Sequence, residues 1–146
     1  MENQLNSNPI EKIIKLDFKD AKYATGRRKK SIAKVWLKKG SGNIHVNGKK
    51  MVDYFRKQNL QTSIYRPLAI VKRENEFDVR CSVKGGGLSG QAGAARLGIA
   101  RSLLIVNPDF RGLLKETGML TRDSRVVERK KPGQPGARKK FQFSKR

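Results

Sequence analysis

The chain has 146 residues, 36% of them hydrophobic and 32% charged, and its 34 basic side chains against 12 acidic ones leave a net charge of +22. That length supports one folded domain with tails rather than two cores, and the charge exceeds what solubility requires, so a polyanionic partner is expected. The single cysteine, Cys81, excludes an internal disulfide, and no apolar run approaches the ~20 residues of a membrane span, so no membrane partner is expected.

The charge is unevenly placed. Residues 1–21 hold three bases and four acids, residues 22–50 ten bases and no acid, and residues 122–146 ten bases and two acids. A basic stripe and a basic arm therefore flank a nearly ordinary middle, which is the electrostatic footprint of a nucleic-acid binder. The expected division is an N-terminal extension over 1–21, a globular nucleic-acid-binding domain over 22–121 and an extended tail over 122–146.

In chain order, residues 1–20 read as a leader rich in Asn, with Ile10, Ile13, Ile14 and Phe18 spaced for a short amphipathic turn. The leader lacks the continuous hydrophobic stretch of a secretory signal, and its four acids without arginine are unlike a mitochondrial presequence. The expected location is the compartment of synthesis. Ser31 to Lys38 alternates, with Ala33, Val35 and Leu37 on one face and Lys34, Trp36 and Lys38 on the other, which predicts a strand. Gly40-Ser41-Gly42 then reads as a turn into a second strand over 43–47, forming a hairpin that Asn47-Gly48 ends. Met51, Tyr54 and Phe55 suit a turn of helix, and Pro67 marks a helix start or break in an ambiguous stretch over 60–73.

Phe77, Val79, Cys81 and Val83 alternate with Asp78, Arg80, Ser82 and Lys84 in the clearest strand of the chain, which Gly85-Gly86-Gly87 stops. Ser89 to Val106 predicts a helix with Ala92, Ala95, Ile99, Leu103 and Val106 as its apolar stripe. Arg101 lies off that stripe, and Gly90, Gly93 and Gly98 permit close approach of another backbone. Asn107-Pro108 supplies an N-cap and first-turn proline for a further helix that Gly118 ends. Beyond Arg129 no aliphatic side chain exceeds Ala137, and Pro132, Gly133, Pro135 and Gly136 interrupt any regular element. Such an arm lacks the apolar area to offset its ordering entropy and is expected to order against a negative partner.

Gly85 to Gly90 satisfies G-x-G-x-x-G, but a dinucleotide fold needs a parallel strand after the helix, where Asn107-Pro108 starts another helix instead. A P-loop is excluded because Gln91 and Ala92 stand where Lys and Ser/Thr are required. Two readings of these glycines remain compatible: a tight strand–helix connection, and a helix N-terminus open to phosphate. His45 stands alone and reads as a satisfied structural histidine, with no metal cluster. The carboxylates Asp53, Asp78, Asp109, Asp123 and Glu128 show no acid/base pairing, so no enzyme and no cofactor are expected. Gly26-Arg27-Arg28-Lys29-Lys30 suits phosphate binding, the alternative being a solvated turn. Phe141 and Phe143 are candidates for stacking on bases or anchoring in a protein groove.

Together these residues resemble the ribosomal protein S-nine family. The likeness runs in order through Tyr23-Ala24-Thr25-Gly26-Arg27-Arg28-Lys29 and Ile44-His45-Val46-Asn47-Gly48. It continues through Val83 to Ala94 around the glycine loop, Gly98-Ile99-Ala100-Arg101 and Leu120-Thr121-Arg122-Asp123. Val126-Val127-Glu128-Arg129-Lys130-Lys131 and Gln142-Phe143-Ser144-Lys145-Arg146 complete it. The bacterial type is indicated, including organellar relatives, which implies the bacterial cytoplasm, or the mitochondrial matrix for an organelle-encoded protein, as the expected location. Residues 1–22 lie outside the pattern, and Pro132-Gly133-Gln134-Pro135-Gly136 is poorer in cations than the family's tails.

The resemblance implies an α+β fold: a small mixed sheet with helices on one face, a left-handed β-α-β crossover and a long, disordered basic C-terminal arm. It implies a structural constituent of the small ribosomal subunit, partnered by small-subunit ribosomal RNA, neighbouring head proteins and peptidyl-site tRNA. The ribosomal RNA contacts then expected are Arg27, Arg28, Lys29, Lys30 and Lys34 in the stripe, and Lys84, Gly85, Gly86, Gly87, Ser89 and Gln91 at the glycine loop. In the arm they are Arg122, Arg125, Arg129, Lys130, Lys131, Arg138, Lys139 and Lys140, while Ser144, Lys145 and Arg146 are expected at tRNA.

Overall fold

A computed structural model of the protein describes residues 19–145. The amphipathic turn expected over Ile10, Ile13, Ile14 and Phe18 lies outside them, as does Arg146. The first element among the described residues is a strand, β1 (Lys22–Arg28), hairpinned to β2 (Ser31–Lys39) with Arg28 opposite Ser31. Lys29 and Lys30 alone make the turn, and Lys29 takes a φ of 51°, the left-handed conformation favoured in two-residue hairpin loops. Sequence periodicity gives no sign of β1 because its inward positions are Ala24 and Gly26, too small to mark an apolar face.

The expected hairpin between β2 and the next strand does not form. The sheet order is β1-β2-β5-β3-β4, so β5 (Phe77–Lys84) lies between β2 and β3 (Ile44–Val46), antiparallel to the first and parallel to the second. The loop over 40–43 is held open around the start of β5. The Asp78 carboxylate accepts the backbone N–H groups of Ser41 (3.0 Å) and Asn43 (2.8 Å), and Gly40 N–H donates to the Glu76 carbonyl at 2.8 Å. Asn47 and Gly48, with φ of 51° and 84°, instead turn β3 onto the two-residue β4 (Lys49–Lys50).

The crossover from β3 to β5 carries α1 (Met51–Tyr54) and α2 (Gln58–Ile70). Pro67 neither starts nor breaks α2 but sits inside it, three residues from the end. It forfeits one backbone bond in the last turn, and full burial of its ring compensates. Then come β5, α3 (Leu88–Val106), a 3₁₀ turn (Pro108–Phe110) and α4 (Arg111–Glu116). Asn107 caps the turn, its side-chain oxygen accepting from Asp109 N–H at 3.0 Å, and Gly118 follows α4 with a φ of 69°.

The helices cover one face of the sheet. Ala33, Val35 and Leu37 of β2 and Val79, Cys81 and Val83 of β5 meet Ile64 and Leu68 of α2, Ala95, Ile99 and Leu103 of α3, and Leu114 of α4, all buried. Each large aliphatic there contributes about 1.5–3 kcal/mol by leaving water. α3 crosses β1 at backbone contact: a Cβ on Gly26 would lie 1.9 Å from the Ala94 carbonyl oxygen and 2.5 Å from the Gly98 nitrogen.

Burial pushes the Cys81 thiol up to about 12. The folded state therefore disfavours the thiolate, and any stability cost appears only above the ordinary thiol pKa of about 8.5, growing as pH rises toward 12. At about pH 8 the native protein is expected to resist alkylation at Cys81, with labelling tracking global unfolding in denaturant. Immediate labelling of the folded protein would contradict this placement.

Candidate nucleic-acid interface

Three segments distant in sequence, two of them basic, converge at one end of the sheet. The β1–β2 turn, the glycine loop and the start of the arm enclose an open groove of about 590 Å³ lined by Lys29, Lys30, Gly86, Gly87, Val126, Val127, Glu128 and Arg129. Its one carboxylate, Glu128, is taken by the Arg138 guanidinium through two hydrogen bonds of 2.9 and 2.7 Å, which hold it below the usual carboxylate range. Lys29, Lys30 and Arg129 thus face a space in which no free anion opposes them.

The glycine loop is built by packing as well as by openness. Gly85 and Gly86 have φ of 73° and 62°, and a Cβ on either would strike the Lys30 carbonyl oxygen (2.6 Å) or the Ser31 hydroxyl (2.2 Å). Ser31 donates to the Gly85 carbonyl at 3.0 Å, tying the hairpin turn to the loop. Gly87, the N-cap of α3, has open space around it, and no side chain caps that end. The tight connection is made by Gly85 and Gly86, while Gly87 leaves the N-terminus of α3 uncapped beside the groove.

The basic run 27–30 is split by strand geometry. Arg27 projects from the open face, Lys29 and Lys30 form the turn, and Arg28 points toward α3, where its side chain occupies the space that a Cβ on Gly93 would claim. Arg28 pairs with Asp123 of the arm at 3.0 Å and also reaches the Ser89 carbonyl at 3.4 Å. Asp123 is pulled well below the usual carboxylate range, chiefly by hydrogen bonds from the side chain and backbone of Arg125. Behind this pair, burial and the like charges of Arg28 and Arg66 lower the pKa of Arg96, whose Nε is buried without a partner. The sequence signal for this latch is slight: one acid in an otherwise basic stretch.

Of the other expected contacts, Lys34 and Lys84 lie exposed on the open sheet face, away from the groove. Gln91 is committed internally: it donates to the Gly85 carbonyl at 3.2 Å and accepts from the Tyr54 hydroxyl at 2.9 Å. Arg122, Arg125, Lys130, Lys131, Lys139, Lys140, Ser144 and Lys145 are exposed along an arm without helix or strand. His45 departs from expectation, because its Nδ1 is buried with no hydrogen-bond partner. The nucleotide-fold alternative is closed by topology: α3 leads into the 3₁₀ turn and α4, and β5's only parallel neighbour is β3, which precedes it.

Asp123 carries a testable consequence. Its folded pKa is depressed, so the stability it lends is present above the unfolded carboxylate pKa of about 4 and is lost as pH falls through the lower folded value. Asp123→Asn at neutral pH is expected to speed amide exchange over residues 122–128 while leaving α3 protected. Unchanged exchange in that stretch would show that the latch holds nothing.

A basic groove joining a hairpin turn, a glycine loop and a one-signed arm defines a structural binder of polyphosphate. Comparison with protein families agrees: the family described as Ribosomal protein S9/S16 matches residues 26–146. The chain belongs to this family and is a ribosomal protein of the small subunit, an RNA-binding component of the translation machinery located in the ribosome.

Proposed function

We propose that the protein binds ribosomal RNA in the head of the small subunit through this groove and the basic arm, and that its C-terminal tip reaches tRNA in the peptidyl site. The observation that carries the reading is the convergence of Lys29, Lys30, Gly87 and Arg129 on one groove whose single carboxylate is already paired. Phosphates fit such a site through charge-assisted contacts, and backbone contacts of this kind position a protein on RNA without reading its sequence. Residues 22–121 act as the anchoring domain. Residues 122–146 act as the arm, with Arg122, Arg125, Lys130, Lys131, Lys139 and Lys140 spaced to meet successive phosphates, and neighbouring head proteins pack around it.

Ser144, Lys145 and Arg146 form the tip, two of them cationic. Deleting these three leaves the groove and the latch intact, so the protein still enters the subunit. Peptidyl-site tRNA is expected to dissociate about ten-fold faster, from the loss of two charge-assisted contacts discounted for solvent. The test compares tRNA dissociation from purified subunits with and without the tip. Normal assembly with an unaltered rate removes the tip from tRNA, and failure to assemble reassigns it to ribosomal RNA.

A further inference from the structure

Among the described residues, none covers the face of the sheet opposite the helices, and the groove does not use it. Across β1, β2 and β5 it presents Tyr23, Arg27, Ile32, Lys34, Trp36, Lys38, Arg80 and Lys84. At its centre three side chains stand in one register row, Tyr23 opposite Trp36 and Trp36 opposite Arg80. The Tyr23 and Trp36 rings lie 5.4 Å apart at 43°, and the Arg80 guanidinium sits over the indole, 5.7 Å from its centroid. Beside them a depression of about 270 Å³ is lined by Ile32, Lys34, Trp36, Ser82 and Lys84. Tyr23 and Ile32 remain 44% and 43% exposed.

Aromatic exposure alone would suit a protein partner equally well, and charge decides between them. Among the described residues the face carries the cations Arg27, Lys34, Arg80 and Lys84 beside the platform, against one carboxylate, Asp78, which is engaged by the backbone of the loop over 40–43. A protein patch would need a dense acidic complement, whereas unpaired RNA brings phosphates and flat bases together. Unstacked bases bind on aromatic rings and on the planes of arginine guanidinium groups, with cations tracking the backbone beside them. A paired A-form helix keeps its base faces stacked and offers none to such a platform.

We infer that this open sheet face is a second RNA-docking surface, on which an unpaired nucleotide stacks against Tyr23 and the Trp36–Arg80 pair while Lys34 and Lys84 take the flanking phosphates. The inference rests on the RNA-binding reading above but concerns a different surface and a different RNA structure. Lys34 and Lys84 thereby act with the aromatic platform and not with the groove.

Trp36 is the only tryptophan in the chain, so its emission reports on this face alone. The full-length protein is titrated with an unpaired oligoadenylate of about ten nucleotides and, separately, with a blunt RNA duplex of about ten base pairs. The unpaired RNA is expected to quench the indole emission and the duplex to leave it nearly unchanged. Tyr23→Ser, at an exposed position that spares the reporter, is expected to weaken unpaired RNA about ten-fold and duplex RNA not at all. Trp36→Leu, followed by anisotropy of labelled RNA, should do the same. Salt-sensitive binding of both RNAs with constant emission and unaltered Tyr23→Ser affinity would overturn this surface and leave the groove standing. Absence of any RNA binding would sink the groove reading, and this one with it. Unchanged RNA affinity, with Tyr23→Ser excluded from small subunits, would overturn the inference and give the face to a neighbouring protein.

Discussion

Replacing Gly26 with alanine is expected to destabilise the domain by about 4 kcal/mol or more, a large share of the roughly 5–15 kcal/mol that holds such a domain together. The new methyl would lie 1.9 Å from the Ala94 carbonyl oxygen and 2.5 Å from the Gly98 nitrogen, both backbone atoms of α3. Neither can turn aside as a flexible side chain would. The helix must lift from β1, and lifting it uncovers Ala95, Ile99 and Leu103 together. Gly112→Ala supplies the contrast. It lies in α4 with nothing within 4 Å of a Cβ, so alanine should stabilise by about 0.5–1 kcal/mol through helix propensity. Urea midpoints followed by helical circular dichroism compare the two. Similar small shifts for both variants would mean that α3 does not sit on β1 as described.

The second large effect is on binding and leaves the fold alone. Changing Lys29, Lys30 and Arg129 together to glutamine removes the cations that line the groove. Arg28 is left in place because it packs over Gly93 and holds Asp123. Affinity for small-subunit head RNA is expected to fall roughly a hundred-fold near physiological salt. The slope of log affinity against log salt should flatten by about 0.7–0.9 for each lost phosphate contact. Stability should move by no more than about 0.5 kcal/mol, since all three are surface positions. An unchanged slope with full affinity would reduce the turn and arm start to solvated surface.

What the sequence disclosed follows from which signals are local. β5 and α3 were legible because Phe77, Val79, Cys81 and Val83 are large enough to mark a two-residue period, and Ala92 through Leu103 keep a helical one. β1 was not, because Ala24 and Gly26 leave its inner face without bulk, although Gly26 is there so that α3 can come close. Pairing was misread for a different reason. Periodicity identifies strands and not their neighbours, and a short glycine loop between two strands is the ordinary sign of a hairpin. The carboxylate of Asp78, 35 residues beyond Asn43, keeps that loop open. The basic stripe and arm were legible in the sequence, but not their convergence with the glycine loop; the pairing of Arg28 with Asp123 spans 95 residues and leaves no periodic trace. Gln91, expected at RNA, also braces the loop beneath Tyr54, a role that only three-dimensional proximity reveals.

The central position of β5 also sets an order of events at synthesis. The hairpins over 22–39 and 44–50 close from neighbouring residues, but neither can join the other until Phe77 to Lys84 has emerged to lie between them. An isolated hairpin is marginal in water, so both remain provisional for several dozen residues of elongation. β5 then couples them, and α3, following directly, seals the assembled face. Such late, long-range closure slows folding relative to local pairing. The basic arm over 122–146 is translated only afterwards, when the surface that receives Asp123 has already been completed.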